Sequence, residues 1–181
     1  MGMLIAGVAL WWLAHLFKRL APGPRAALGD RAKLAVAVAL AVAVVLMVMG
    51  YRAAAFVPVW DPPQWLRHAN NLLMLLAFYL YAASGMKTAA ARWLRHPQLT
   101  GFAVWAVAHL LVNGDAAALL LFGGLLVWAL LTMVLINRAE PRPAPPAPAS
   151  AGREAGAILG AVAVTGLVGL VHGWVGPNPF G

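Results

Sequence analysis

Leu34-Ala-Val-Ala-Val-Ala-Leu-Ala-Val-Ala-Val-Val-Leu-Met-Val-Met49 carries no charge and no strong hydrogen-bonding side chain. Its polar groups are those of the backbone, which a helix satisfies internally. Read outward to Ala32 and Ala55, the stretch exceeds the roughly 20 apolar residues that a helix needs to cross hydrocarbon. No polar side chain lies between Lys33 and Tyr51, so this helix reads as a lipid-facing wall.

Arginines and lysines punctuate the rest of the chain in the same way. They leave further apolar runs at about Met3–Leu20, Pro63–Gly85, Pro97–Val112, Ala116–Ile136 and Glu154–Val175, six runs in all. The breaks alternate in charge. Lys18, Arg19, Arg25, Arg31 and Lys33 follow the first run, Lys87, Arg92 and Arg95 the third, and Arg138, Arg142 and Arg153 the fifth. The other connections hold Arg52 and Arg67, so 11 of the 13 basic residues fall on one side of a six-pass arrangement. Basic loops stay cytoplasmic. The expected fold is all-α: a polytopic membrane helix bundle of six transmembrane helices with both termini outside.

Composition bounds the function. At 63% hydrophobic and 10% charged, the chain lies outside the globular range. Six helices use most of its 181 residues, which implies a single transmembrane domain over 1–181 and no soluble one. The net charge of +8 is not a nucleic-acid footprint, because the basic residues flank helix ends and meet anionic lipid headgroups there. The absence of cysteine excludes disulfides, thiolate metal sites, iron–sulfur clusters and a cysteine nucleophile. No basic residue precedes the first run, so it reads as a retained helix and not as a cleaved signal peptide.

The connections carry their own signals. Pro58, Trp60, Asp61, Pro62 and Pro63 make Phe56–Gln64 a stiff outer loop, with Pro63 suited to the first turn of the third helix. Asn113-Gly114-Asp115 reads as a compact turn with Asp115 capping the fifth helix, which implies a tight antiparallel hairpin of helices four and five. The Ala/Pro/Ser-rich stretch 139–153 reads as a mobile, polyproline-like cytoplasmic linker. Gly156/Gly160 and Gly169/Gly173 are small-xxx-small pairs suited to close helix approach in the sixth run. Trp60, Trp65 and Trp174 fall at the outer interface and Trp93 at the inner one.

All five acidic residues, Asp30, Asp61, Asp115, Glu140 and Glu154, lie in loops or at helix ends, which argues against a carboxylate-driven proton pump. The histidines are the chemical candidates. His15 and His96 form an inner pair, and His68, His109 and His172 an outer trio in the company of Asn70, Asn71, Asn113, Asp61 and Asp115. Trp105, His109 and Asn113 share one stripe of the fourth helix, and His68 and Asn71 one stripe of the third. The two stripes could face each other across an outer pocket. Neutral imidazole ligates haem iron, and small or aromatic residues with nearby cations would suit the macrocycle and its propionates. The plainer reading is that polar residues gather at helix ends because they are tolerated there. That reading covers His68 and His96 as solvated or capping groups. For His15, His109 and His172 an interhelical hydrogen bond competes with a ligand role.

Arg95-His-Pro-Gln-Leu-Thr-Gly-Phe-Ala-Val-Trp-Ala-Val-Ala-His109-Leu-Leu-Val-Asn-Gly-Asp115, followed by Leu119-Leu-Leu-Phe-Gly123, resembles the signature of the NnrU domain family. So does Asp61-Pro-Pro-Gln-Trp-Leu-Arg67-His68. The resemblance covers nearly the whole chain. It implies a multi-pass protein of the bacterial inner (cytoplasmic) membrane tied to nitrite and nitric oxide metabolism. The plant relative, 15-cis-zeta-carotene isomerase, is a membrane enzyme that uses haem b held by histidines. His15, His96 and His109 match histidines of the family pattern. The plant enzymes carry a further histidine near the position of Trp128 or Ala129, where none stands here. A second ligand must then come from elsewhere, or the iron is five-coordinate. Expected cofactor-site residues are His109, His15 and His172, with Trp105 and Asn113 beside them, and haem b is the expected cofactor. Two readings remain: a haem-dependent isomerase or oxidoreductase acting on a small or lipophilic substrate, and a non-catalytic accessory subunit of a nitric oxide reductase-type system.

Overall fold

The computed structural model describes residues 1–180, and every regular element among them is helical. The long helices are α1 (Gly2–Leu20), α3 (Arg31–Arg52), α4 (Leu66–Met86), α6 (Pro97–Val112), α7 (Ala116–Ala139) and α8 (Ala151–Val175), with two short ones between them, α2 (Pro22–Ala27) and α5 (Ala89–Trp93). All six apolar runs are thus helical. Five of them, α1, α3, α4, α7 and α8, are long and apolar enough to cross a membrane. The remaining one, α6, has 16 residues, because Pro97 opens it and the turn at Asn113 closes it.

Four boundaries differ from expectation by three residues, one of them the end of the fifth run, which continues past Ile136 to Ala139. The third run becomes helical at Leu66, whose N–H bonds to Pro63 O at 3.0 Å across a turn. Pro63 therefore precedes the helix and does not sit in its first turn. The second run stops at Arg52, short of Ala55. The sixth starts three residues early at Ala151, where Ser150 Oγ accepts the N–H of Arg153 at 3.4 Å.

The chain groups into two compact units, residues 1–60 with 114–128 and residues 61–113 with 129–180. In the first unit α1 packs on α3. A Cβ at Gly7 would meet Met47 and the carbonyl of Ala43, and one at Gly50 would meet the backbone of Leu4. The helices are therefore in near backbone contact, which only small residues allow. Leu34, Val38, Val42, Val45 and Met49 of α3 are exposed, as a lipid-facing wall requires.

The loop before the second unit is stapled to the 114–116 turn. Gly114 O accepts from Val59 N at 2.7 Å and from Trp60 N at 3.0 Å, and Ala116 N donates to Val57 O at 2.9 Å. Asp115 is buried, and its Oδ1 accepts from Ala118 N at 3.0 Å, the cap expected from the sequence. Asp115→Ala should lower stability by about 1 kcal/mol, read from the midpoint of unfolding by sodium dodecyl sulfate. An unchanged midpoint would remove the cap from this account. One turn on, α7 widens into a π turn at Leu119–Gly123. Such a turn disturbs the regular ladder, and the next carbonyl, Gly124 O, accepts the indole N–H of Trp12 at 3.1 Å.

In the second unit α4 packs on both α6 and α8. Gly101 lies under α4, where a Cβ would meet Ala77 O, Leu80 and Tyr81. On α8 the buried residues are Ala157, Ala161 and Gly169. The expected Gly156/Gly160 pair is not that face: Gly160 looks into open space and Gly156 meets only the end of Met86. The packing row is one residue further round the helix. Gly169 instead receives the ring of Phe180, which folds back from the C-terminal segment.

After Ala139, which ends α7, the stretch lacks helix from Glu140 to Ser150, as its prolines dictate, yet its start is pinned. Arg95 Nη2 donates to Glu140 O at 2.7 Å, and Arg142 Nη2 donates to Trp93 O at 2.9 Å. Two guanidinium groups satisfy carbonyls that helix ends and prolines leave over.

Candidate functional site

Three of the five histidines share one arrangement. His15 Nδ1 lies 3.1 Å from Trp11 O, His109 Nδ1 3.0 Å from Trp105 O, and His172 Nδ1 2.7 Å from Pro177 O. A carbonyl only accepts, so Nδ1 carries the hydrogen and donates it. Nε2 is then the basic nitrogen. Metal-ligating histidines use this arrangement, in which the outer hydrogen bond fixes both tautomer and ring orientation. In α1 and α6 it follows from helix geometry, because side chains lean toward the N-terminus and reach the carbonyl four residues back. His96 differs: its Nε2 lies 2.9 Å from Asn137 Oδ1, which ties the start of α6 to the end of α7.

In the first unit, His15 packs between two indoles. Its ring centroid is 4.2 Å from Trp11 and 4.5 Å from Trp128, and the two indoles are 5.4 Å apart, edge to face. Trp128 thus occupies the place beside His15 and supplies packing, not a ligand. The sequence held half of this signal, since Trp11 is four residues before His15. Trp128 arrives from α7 and nothing local announces it.

In the second unit, Phe102, Trp105 and His109 stack along one face of α6, each ring 5.0 Å from the next. Asn113 extends the stripe and donates from Nδ2 to His109 O at 2.8 Å. The expected grouping of His109, Trp105 and Asn113 is therefore present. Asn70 joins this level by register. Counting equal steps from the Gly101–Ala77 contact along two neighbouring helices of opposite direction brings Asn70 level with Ala108 and His109. Asn70 is 7% exposed, donates from Nδ2 to Asn71 Oδ1 at 3.0 Å, and has no donor for its own Oδ1. A buried acceptor left without a donor costs about 1–3 kcal/mol, so such an atom marks a place for a ligand or a water. In the sequence Asn70 stands out only as polar company for the outer histidines.

The pocket expected between the third and fourth helices forms elsewhere. His68, Asn71, Leu72 and Leu75 of α4 line a cavity of about 420 Å³ with Val162 and Thr165 of α8. His109 is not part of its wall. The reason is rotational: α4 turns Leu66, Asn70, Ala77 and Leu80 inward, while His68, Asn71 and Leu75 lie on another face.

Among the described residues no three His, Asp or Glu side chains converge on one point, and the chain has no cysteine. A zinc-type donor set is therefore not assembled here. Haem iron needs only one or two imidazoles, and the histidines held through Nδ1 fit that requirement.

A family model described as NnrU protein matches residues 3–179. No curated protein and no solved structure matches the chain.

Proposed function

This chain belongs to the NnrU family over nearly its whole length, and from that premise we propose that it is an integral membrane protein that binds haem b within its second unit, with His109 as the principal residue that would hold it. His172, also held through Nδ1, is the candidate partner within that unit. His15 is the candidate that the family pattern favours. The observation that carries the proposal is the Nδ1–carbonyl bond, which makes Nε2 of His109 the basic nitrogen. Bound there, haem b would supply redox or isomerisation chemistry toward a small nitrogenous or lipophilic substrate, within nitrite and nitric oxide metabolism. The chain's own residues prepare that site. The Trp105 carbonyl holds the imidazole tautomer, Asn113 fixes the last turn of α6, and Asn70 offers an amide oxygen to whatever enters.

The visible spectrum of the detergent-purified protein tests this. A Soret band that shifts on dithionite reduction, with haem b confirmed as its pyridine haemochrome, is the expected result. A folded but colourless preparation would favour the second reading, an accessory subunit of a nitric oxide reductase-type system.

The basic asymmetry of the connections supports six passes through a bacterial cytoplasmic membrane with both termini outside. Cysteines introduced at Gly2 and at Pro146 should then react with an impermeant maleimide from opposite sides of the membrane. Labelling from the same side would sink the topology.

A further inference from the structure

The α4–α8 groove has a chemistry of its own. Leu72, Leu75 and Val162 give it apolar walls, and its polar groups come from His68, Asn71 and Thr165. Asn71 is largely committed, since Nδ2 donates to Pro179 O at 3.0 Å and Oδ1 accepts from Asn70 Nδ2 at 3.0 Å. Thr165 donates its hydroxyl hydrogen to Ala161 O at 2.7 Å, which leaves its oxygen as an acceptor. The ring of His68 makes no hydrogen bond within the described residues and offers one donor and one acceptor. From His68 to Leu75 the wall runs about 10 Å along α4 at roughly 1.5 Å per residue, with the polar imidazole at one end. Leu72 and Val162 are 70% and 52% exposed, so in a bilayer the groove is open to the lipid phase.

We infer that this groove binds a quinone-class molecule from the lipid phase, its carbonyl head against His68 and its apolar body along Leu72, Leu75 and Val162. Three features select the class. The wall holds no lysine, arginine or carboxylate, so it offers no counter-charge to a phosphate headgroup. The volume of about 420 Å³ lies at the lower end of the range for ligand sites, about 300–1,000 Å³. That suits one ring with part of a tail, not the paired acyl chains of a phospholipid. Finally, the His68 ring can donate to the carbonyl oxygen of the oxidised form or accept from the hydroxyl of the reduced form, so both forms find a polar partner. None of the groove's residues is a proposed haem ligand, although Asn71 accepts a hydrogen bond from Asn70 beside His109.

Calorimetric titration of decylubiquinone into the detergent-purified full chain tests the inference. Saturable binding near one molecule per chain is expected. His68→Leu should weaken it by about tenfold. Val162→Trp, at an exposed position where folding tolerates bulk, should fill the groove and abolish binding. No saturable binding by the native protein, or full affinity in both His68→Leu and Val162→Trp, would overturn the proposal. Displacement of the quinone by stoichiometric phosphatidylglycerol would overturn it in favour of a phospholipid site. Haem content, measured on the same samples, should be equal in all variants. A colourless native protein that still binds decylubiquinone would remove the haem reading and leave this one standing.

Discussion

His109→Ala should strip haem from the purified protein and abolish its Soret band. Three observations set the expected size of the effect. The imidazole is held through Nδ1 by Trp105 O at 3.0 Å, which presents Nε2 as the ligating nitrogen. The ring stacks on Trp105 at 5.0 Å, so its orientation is already fixed before a ligand arrives. Asn70, level with it, carries a buried amide oxygen without a donor. Removing a group that merely supports a ligand costs about 10- to 100-fold in metal affinity, and removing the principal ligand should cost more. His172→Ala and His15→Ala provide the comparison. If His172 is the second ligand, its variant should retain pentacoordinate haem with a shifted spectrum, while His15→Ala leaves the spectrum unchanged. The reverse result would end the His172 partnership. Unfolding midpoints within about 1 kcal/mol of the native protein would separate ligand loss from collapse. Full haem content and an unchanged spectrum in His109→Ala would end the assignment, whichever partner is proposed.

Gly114→Ala should produce the largest structural effect of any single methyl addition. The new Cβ would fall on the carbonyl of Trp60, a backbone group that no side-chain rotation can move aside. The same residue's own carbonyl accepts the N–H groups of Val59 and Trp60 at 2.7 and 3.0 Å, so any shift that relieves the clash breaks the staple between the 57–60 loop and the turn. Overpacking typically costs about 1–3 kcal/mol, and the broken hydrogen bonds add roughly 1 kcal/mol each. A fall in folded yield together with a lower detergent-unfolding midpoint is expected. Gly160→Ala is the control. A Cβ there meets nothing within 4 Å, and alanine gains helix propensity of up to about 1 kcal/mol over glycine. Equal stability of Gly114→Ala and the native protein would show that the staple does not hold the turn.

The helices and their ends were largely legible in the chain. Sixteen apolar residues at Leu34–Met49 required a helix in lipid, Pro97 and Asp115 marked the starts of α6 and α7, and the alternating basic clusters set the orientation proposed here. These signals are local, or depend only on the bilayer, so they need no knowledge of neighbours. The spacing of Trp105, His109 and Asn113 likewise placed them on one face of α6, because helical periodicity alone decides it.

What faces what was decided by the tertiary structure. Spacing puts His68 and Asn71 on one stripe of α4, and that stripe meets α8, not α6, which packs beside the Asn70 row. Ala157 and Ala161 pack where Gly156 and Gly160 were expected. Trp128 reaches His15 from 113 residues along the chain, and Arg95 and Arg142 pin a linker whose composition implied freedom. In water, burial of apolar residues would have chosen the inward faces. In lipid nearly every face of these helices is apolar, so hydrophobicity does not distinguish one from another. Shape complementarity between distant segments makes the choice, and it depends on atoms that no single stretch of sequence contains.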